Sequence, residues 1–383
     1  IGMNRKNSIS DLKKIKDGYI GCGGGNSFKI PSAFLNAYIF KLDTNLSIKW
    51  FKSYGGNYVD VFDKVISTYD SNFIAVGSTQ SLGKGQPGRS DILVIKFDTN
   101  GNLLWSKTYG GDSADGFYTD IIETMDSCYL IFSSTNSFGK GSYLLGSLDY
   151  YLIKINKNGD ILWTKTYDIK NTDFACQIIR KPNDTSFYII GVSGYLNQSG
   201  WYIQKNTSQG TKINSRYYYS DSVTYTPNII AIFINTAMMT LLGFAESSIN
   251  PKYFIISSVD DNFNIVSNKM LILPPINVIN NIYPITIGYV SRITHAYDSG
   301  YFFGALYQNS KHLMYIKTDS LGYTCNPVSS GMLSDTLFLR VDSGGIITSV
   351  NQGTLLSWTP TEYEAGTDST LCFCSIPGSL SLS

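Results

Sequence analysis

The chain has 383 residues, and its 30 lysine and arginine residues nearly balance its 29 aspartate and glutamate residues. This balance provides no basic field for a nucleic-acid backbone, and no apolar run reaches the roughly 20 residues of a membrane helix. The 28 tyrosines, beside abundant Ser, Thr, Asn and Gly, favour a strand-rich extracellular protein over a helical cytosolic enzyme.

A degenerate repeat of roughly 55 residues organises most of the chain. Trp50, Trp105 and Trp163 set its period. Other residue types recur in phase with each tryptophan: a preceding lysine (Lys41, Lys96, Lys154), a following tyrosine (Tyr54, Tyr109, Tyr167) and two later aspartates (Asp60, Asp115, Asp173 and then Asp70, Asp126, Asp184). Several positions recurring together are more specific than any single motif.

Each repeat contains four strand-like stretches separated by turn residues. In the second repeat they are 61–68, 73–78, 91–97 and 103–109. Asp98-Thr-Asn-Gly101 predicts a tight hairpin turn, whereas the glycine cluster Gly23-Gly24-Gly25 predicts a loop. Four antiparallel strands repeated in this way predict an all-β fold, a β-propeller of four-stranded antiparallel blades.

The propeller is expected to span residues 1–326, with six recognisable repeats. Residues 1–7 match the end of an outer strand and are expected to close the ring. The repeats cover residues 8–54, 60–109, 115–167, 173–219, 225–272 and 286–326. Residues 327–383 fit the pattern poorly and are expected to form a seventh blade or a C-terminal β extension.

The six cysteines form no CxxC pair, which argues against a zinc site. Cys22, Cys128 and Cys176 lie at or near strands and are expected to be buried thiols. If the protein is exported, we expect a disulfide from Cys325 to either Cys372 or Cys374.

The segment running from Asp91 to Gly111, with its Asp98-Thr-Asn-Gly101 turn and Trp105, resembles the repeats of secreted Bacteroidetes propellers exported by the type IX secretion system. The resemblance covers about residues 1–325 and implies a propeller located outside the cell or on its surface. Asp112-Ser, Asp221-Ser, Asp319-Ser, Asp335-Thr and Asp368-Ser resemble O-glycosylation sites of such exported proteins. The implied modification sites are Ser113, Ser222, Ser320, Thr336 and Ser369.

The spacing of Asp98, Gly101 and Trp105 also resembles the tryptophan docking motif of quinone-dependent propeller enzymes. The Asp-to-Gly spacing is one residue short, and quinone and calcium ligands cannot be placed on this sequence. We therefore interpret the shared feature as structural, with a tryptophan packed between blades. A sugar-stacking role for the same tryptophans is the less favoured alternative.

Aspartates and histidines provide no catalytic constellation. Asp60, Asp115 and Asp173 could form a ring around a channel mouth and bind a cation. We favour the alternative, in which each carboxylate accepts hydrogen bonds from backbone N–H groups of the preceding turn. His295 and His312 have no carboxylate or cysteine cluster nearby in the sequence.

Tyr217, Tyr218 and Tyr219 raise one binding hypothesis. Exposed on a propeller face, they would contact glycans or protein partners. The alternative, which we favour, is that they line strands inside the sheets.

The sequence favours a non-catalytic secreted or cell-surface module for protein interaction and adhesion, exported by the type IX route. It predicts no catalytic residue, no cofactor and no metal site, and its partners would be secretion or cell-surface proteins and surface glycans. A carbohydrate-binding or carbohydrate-processing propeller is the first alternative. A quinone-dependent redox propeller is the second.

Overall fold

The computed structural model describes residues 7–25, 34–83, 88–139, 148–170, 172–181, 184–194, 199–219, 224–233, 238–246, 252–272, 287–295, 301–307, 313–317, 334–335, 340–342, 346–348, 354–357 and 363–364. These residues form strands and turns and contain no helix, which confirms the all-β prediction. Within these ranges, no helix of the length and apolarity required to span a membrane is present. The chain divides into two compact units, residues 1–109 with 356–383 and residues 110–355.

The first unit contains two antiparallel sheets whose strands pair in chain order. Sheet 1 consists of β1 (Asn7–Ile15), β2 (Gly18–Gly25), β3 (Asn36–Leu42) and β4 (Ile48–Tyr54). Sheet 2 consists of β5 (Asp60–Ser67), β6 (Phe73–Thr79), β7 (Asp91–Phe97) and β8 (Leu103–Gly110). The four strands predicted for the second repeat are thereby confirmed.

The second unit contains four further sheets of the same kind. Sheet 3 consists of β9 (Asp115–Glu123), β10 (Tyr129–Thr135), β11 (Asp149–Ile155) and β12 (Ile161–Asp168). Sheet 4 consists of β13 (Asp173–Arg180), β14 (Phe187–Ser193), β15 (Gly200–Asn206) and β16 (Lys212–Tyr219). Sheet 5 consists of β17 (Thr224–Phe233), β18 (Met238–Glu246), β19 (Lys252–Asp260) and β20 (Ile265–Ile272). In sheet 6 the described strands are β21 (Ile287–His295), β22 (Tyr301–Tyr307) and β23 (Leu313–Lys317).

Short strands from the C-terminal segment add a fifth strand to five of these sheets, in reverse order along the chain. β24 (Ser334–Asp335) pairs with β20, β25 (Arg340–Asp342) with β16, β26 (Ile346–Thr348) with β12, β27 (Thr354–Ser357) with β8, and β28 (Tyr363–Glu364) with β4. The described strands of residues 327–383 therefore extend existing sheets and do not pair with one another.

The N-terminal residues 1–6 lie outside the described residues. Asn7 begins β1 and pairs with Gly25 of the same sheet. Asn7 thus belongs to the first sheet, contrary to the prediction for residues 1–7, and closure of a ring by residues 1–6 stays a prediction.

Hydrophobic cores lie between consecutive sheets because the middle strands are apolar on both faces. All seven residues of β7 and of β11 are buried, whereas β4, β8 and β12 alternate between exposed and buried positions. One core joins sheets 1 and 2, a second joins sheets 3 and 4, and a third joins sheets 4 and 5. Burial on both faces is the property that lets flat sheets stack in series.

The turn between the third and fourth strands has the same form in each of the first five sheets. In sheet 2, Asp98 N–H donates to the Asn102 carbonyl at 2.9 Å and Gly101 N–H donates to the Asp98 carbonyl at 3.1 Å. The Asp98 carboxylate accepts the N–H groups of Asn100 and Asn102. Gly101 takes φ +82°, a left-handed conformation that glycine adopts without strain, so the predicted hairpin turn is confirmed.

The prediction of a loop at Gly23-Gly24-Gly25 is wrong, because these residues form the end of β2. Neighbouring large side chains fill the space that side chains on this strand would occupy. A Cβ on Gly21 would lie 2.4 Å from the Phe40 ring, and one on Gly24 would lie 2.5 Å from Val61 Cγ1.

Candidate functional site

The recurring tryptophans pack against the turn of the following sheet. Trp50 of sheet 1 donates from Nε1 to the Thr99 carbonyl of sheet 2 at 3.2 Å and makes an edge-on contact with Phe97. A Cβ on Gly101 would lie 2.9 Å from the Trp50 ring. Trp163 of sheet 3 approaches Gly210 of sheet 4 equally closely. For these two tryptophans the predicted packing between sheets is confirmed.

The recurring lysines are buried and paired with the turn between the first and second strands. The ammonium groups contact carboxylates at 2.5 to 2.7 Å in the pairs Lys41–Asp17, Lys96–Asp70 and Lys154–Asp126. Partial burial acts to raise the pKa of Asp70, but hydrogen bonds from Lys96 and Thr68 outweigh it and lower the pKa to about 2. Asp126 behaves in the same way. These residues hold the hairpin and are not free for chemistry.

Asp60, Asp115 and Asp173 are fully buried at the start of their strands. Each accepts the backbone N–H of the residue four positions earlier, at 2.8 to 3.0 Å. Asp60 and Asp115 also accept a threonine hydroxyl from the last residue of the second strand of their own sheet and a serine hydroxyl from two residues beyond it. Burial raises the pKa of Asp60 and Asp115, although these hydrogen bonds act in the opposite direction. The interpretation that these aspartates bind turn amides is confirmed.

The second unit contains an acidic cluster that the sequence pattern does not predict. Ligand atoms of Asp149, Asp168 and Asp173 all lie within 4.8 Å of one another, and Asp149 and Asp173 are buried. Burial raises the pKa of Asp173 well above its ordinary value, and the charge of Asp149 raises it further. The cluster is chemically able to share protons or to hold a cation.

The same three positions are less acidic in the first unit, where they are Asn36, Gly55 and Asp60. The Asn36 side chain is buried, and among the described residues neither its Nδ2 nor its Oδ1 has a hydrogen-bond partner. A Cβ on Gly55 would lie 2.5 Å from Asn36 Oδ1 and 2.6 Å from Asp60 Oδ2. The third carboxylate is therefore specific to the position of Asp168 and is not part of the repeat.

The hypothesis that Tyr217 and Tyr218 face a ligand is wrong, because their side chains are only 3% and 1% exposed. Tyr217 donates its hydroxyl to the Ser193 carbonyl at 2.8 Å, and Tyr218 donates to the Phe263 carbonyl at 2.7 Å. Tyr219 is half-buried and stacks on Tyr217 with ring centroids 5.5 Å apart. The favoured alternative, that these tyrosines line strands, holds for Tyr217 and Tyr218.

Most of the other predicted positions lie outside the described residues. These are Cys325, Cys372, Cys374, His312, Ser222, Ser320, Thr336 and Ser369. Ser113 is half-buried, and its N–H donates to Ser137 Oγ at 3.0 Å. His295 is the last residue of β21.

Cys22, Cys128 and Cys176 form no disulfide with one another, and of these three only Cys22 is fully buried. Burial raises the pKa of Cys176 to about 12, so this thiol is unreactive at neutral pH.

At two places that sequence reasoning missed, two exposed aromatic side chains lie close together or adjacent in the chain. In the first unit, the rings of Phe34 and Tyr58 lie 6.0 Å apart and both are exposed. In the second unit, Phe117 and Tyr118 are exposed on β9, and Tyr118 contacts Phe174 edge-on at 6.1 Å. No composition-based signal distinguishes these aromatics from the many buried ones.

The longer connections leave the sheets at one end. In sheets 2 and 3, residues 80–90 and 136–148 join the second strand to the third, whereas the five-residue turns 98–102 and 156–160 lie at the other end. Because antiparallel strands alternate in direction, the connection from one sheet to the next emerges at the same end as the longer connections. Phe34 and Tyr58 belong to this end of sheets 1 and 2.

Comparison with known proteins identified no relative: no family model matches the sequence, and no curated protein is significantly similar to it.

Proposed function

We propose that the six sheets are blades of one closed β-propeller, with residues 1–6 completing the sixth blade. Two observations support this arrangement. Hydrophobic cores join sheets 1 and 2, sheets 3 and 4, and sheets 4 and 5, and the Trp50 and Trp163 rings each pack against the turn of the next sheet. Negative-stain electron microscopy of the purified chain should give six-lobed rings with a central channel. Open or elongated particles would refute closure.

The propeller acts as a non-catalytic binding module for adhesion at the outer cell surface. The observation that supports this proposal is that the recurring charged side chains hold the fold together, whereas some aromatic side chains are exposed. The recurring aspartates and lysines are engaged in hydrogen bonds that hold turns and strand ends. The aromatic rings of Phe34 and Tyr58, in contrast, are presented at the end of the sheets where the longer connections emerge. Exposed aromatic side chains surrounded by rigid structure are typical of recognition surfaces.

Export through the type IX secretion system is the route that the resemblance to secreted Bacteroidetes propellers implies. The test is to express the protein from its native gene in a Bacteroidetes host with and without the type IX machinery. We expect the chain at the surface or in the medium only when the machinery is present. Equal amounts outside both strains would contradict this route.

A binding assay with variants at opposite ends of the sheets tests adhesion. Fluorescently labelled chain is applied to Bacteroidetes cells, to immobilised cell-surface proteins and to immobilised glycans. We expect saturable binding that falls in the double variant Phe34→Ala/Tyr58→Ala. The matched control is Tyr69→Ala, since Tyr69 is an exposed aromatic in a turn at the opposite end of sheet 2. No saturable binding, or the same loss in both variants, would refute the proposal.

A further inference from the structure

Tyr118 has a backbone conformation that sets it apart. Five non-glycine residues have positive φ among those described, and four of them occupy the equivalent position of a tight turn: Leu46, Ser71, Ser127 and Phe263. Tyr118, with φ +54°, lies inside strand β9 instead. A bulky residue in this region is strained, and strain within a regular strand is retained where the surrounding structure enforces it, commonly at functional sites.

The strain comes from a bulge that holds one residue more than its counterparts. Asp115 pairs with Thr135, and after the bulge Asp120 pairs with Phe132. In the preceding and following sheets along the chain the same span is one residue shorter, running from Asp60 to Lys64 in β5 and from Asp173 to Gln177 in β13. The extra residue places two consecutive side chains, Phe117 and Tyr118, in solvent, with exposed fractions of 36% and 42%. β-Bulges commonly re-aim side chains beside binding sites.

The bulge is held rigidly from behind. Thr119 Oγ1 and Ser133 Oγ lie 3.1 Å apart, and Ser133 Oγ donates to the Phe117 carbonyl at 3.1 Å. Asp120 accepts the N–H of Ile178 in sheet 4 at 3.1 Å. Phe174 of sheet 4 meets the Tyr118 ring edge-on, with an interplanar angle of 85°. The ring is thus pre-organised, which lowers the entropy cost of binding a ligand.

The small apolar surface around Tyr118 is matched in size to a small ligand. In the described part of the second unit, the other exposed large apolar side chains are Met125, Leu162, Ile213 and Val266, which lie in a turn or on fourth strands and not beside Tyr118. A stable protein interface buries roughly 800 Å² on each partner around an apolar centre. Two or three rings provide far less than this and match one flat saccharide ring.

We propose that Tyr118, flanked by Phe117 and Phe174, is a stacking site for a saccharide ring. The apolar face of the sugar lies on the Tyr118 ring, and the Tyr118 hydroxyl can both donate to and accept from a sugar hydroxyl. This proposal rests on the adhesion function above and specifies the ligand class for one site of that function. No covalent step is involved.

The test uses the full-length chain and an array carrying mannan, xylan, mucin O-glycans and peptidoglycan fragments. The best-binding saccharide is then titrated by calorimetry against wild type, Tyr118→Phe and Tyr118→Gly. Tyr118→Phe keeps the stacking ring and should bind within about 3-fold of wild type, whereas Tyr118→Gly should weaken binding by about 10-fold or more. Because glycine tolerates positive φ, Tyr118→Gly should also raise the melting temperature, which excludes unfolding as the cause of lost binding.

The possible outcomes separate this site from the broader function. If no saccharide on the array binds, or if Tyr118→Gly binds as well as wild type, the saccharide site is refuted. Retained binding to cells that depends on Phe34 and Tyr58 would then leave the adhesion function standing. If Tyr118→Gly loses binding to a surface protein and not to any saccharide, the ligand class is wrong.

Discussion

Replacing Asp115 by asparagine tests whether the recurring buried aspartates hold the ends of the sheets together. Asp115 Oδ2 accepts Gly111 N–H at 2.8 Å and Ser137 Oγ at 2.6 Å. Its Oδ1 accepts the Thr135 hydroxyl and, at 3.4 Å, Ser137 N–H. Four donors thus converge on one carboxylate that is inaccessible to solvent. An asparagine amide offers one acceptor oxygen and places two donors where the other oxygen was.

The cost follows from which donor loses its acceptor. The hydroxyls can rotate to accept from the new amide group, but the backbone N–H groups cannot. The asparagine side chain should orient with its amide nitrogen in the place of Oδ1, because only the longer hydrogen bond from Ser137 N–H is then lost. An unsatisfied buried donor, together with the exchange of charged for neutral hydrogen bonds, costs about 1–3 kcal/mol. Asp115→Ala removes all four bonds and leaves a cavity, so it should cost more than about 3 kcal/mol.

Urea denaturation followed by circular dichroism measures both variants, with Asp112→Asn as the control. Asp112 is exposed three residues earlier, so its substitution should change the free energy of unfolding by less than about 0.5 kcal/mol. If Asp115→Asn is no more destabilising than Asp112→Asn, the assigned role of the buried carboxylates is refuted.

The penalty for Asp115→Asn should also depend on pH in a defined direction. Burial raises the pKa of Asp115 in the folded chain, so its contribution to stability is fully present below the unfolded pKa, about 3.9, and is lost as pH rises through the folded value. The stability difference between wild type and Asp115→Asn should therefore be largest near pH 4 and shrink toward neutral pH. A difference that grows with pH would contradict this reasoning.

Two further predictions concern the turns. Asp70 pairs with Lys96 and has a pKa of about 2, so the stability that the pair contributes above pH 4 is lost as pH falls toward 2. Asp70→Asn should remove about 1 kcal/mol of this loss after allowance for solvent screening. The measurement is the change in unfolding free energy between pH 4 and pH 2. Gly101→Ala combines a φ of +82° with a Cβ only 2.9 Å from the Trp50 ring and should cost about 2 kcal/mol of stability. Gly88→Ala is the control, at φ +87° with no described residue within 4 Å of the added Cβ, and should cost about 1 kcal/mol. Equal melting temperatures for the two variants would show that the tryptophan contact contributes nothing.

The strands of the second repeat could be predicted from sequence because local pattern and tertiary role agree there. Residues 91–97 are apolar and β-branched, and the Asp98 turn supplies its own hydrogen bonds. The end of β2 could not be predicted in this way. Its glycines have low strand propensity, and what makes them necessary is the large neighbouring side chains Phe40 and Val61, which a local pattern does not reveal.

The candidate site was harder to predict, since composition shows that tyrosine is abundant but not which tyrosines are exposed. Tyr217 and Tyr218 look prominent in the sequence, yet their hydroxyls reach the carbonyls of Ser193 and Phe263, and both rings are buried. Nothing in the local sequence marks Tyr118 as exposed. What distinguishes it is the extra residue between Asp115 and Asp120, and this residue can be recognised only from the pairing of β9 with β10.

Departures from the repeat fall into two kinds, and this distinction indicates where a binding site should be sought among the repeated sheets. In sheet 4 the tryptophan position is taken by Asn214, but Asn214 Nδ2 still donates to the Asn262 carbonyl in the turn of sheet 5, at 3.4 Å. That substitution preserves the contact between sheets. The insertion that exposes Tyr118 and the replacement of glycine by Asp168 preserve no such contact; the first strains the backbone, and the second adds a third carboxylate beside two buried ones. Changes to the repeat that destabilise the fold without improving its packing mark the positions where binding should be sought first. Both of these changes lie in the second unit.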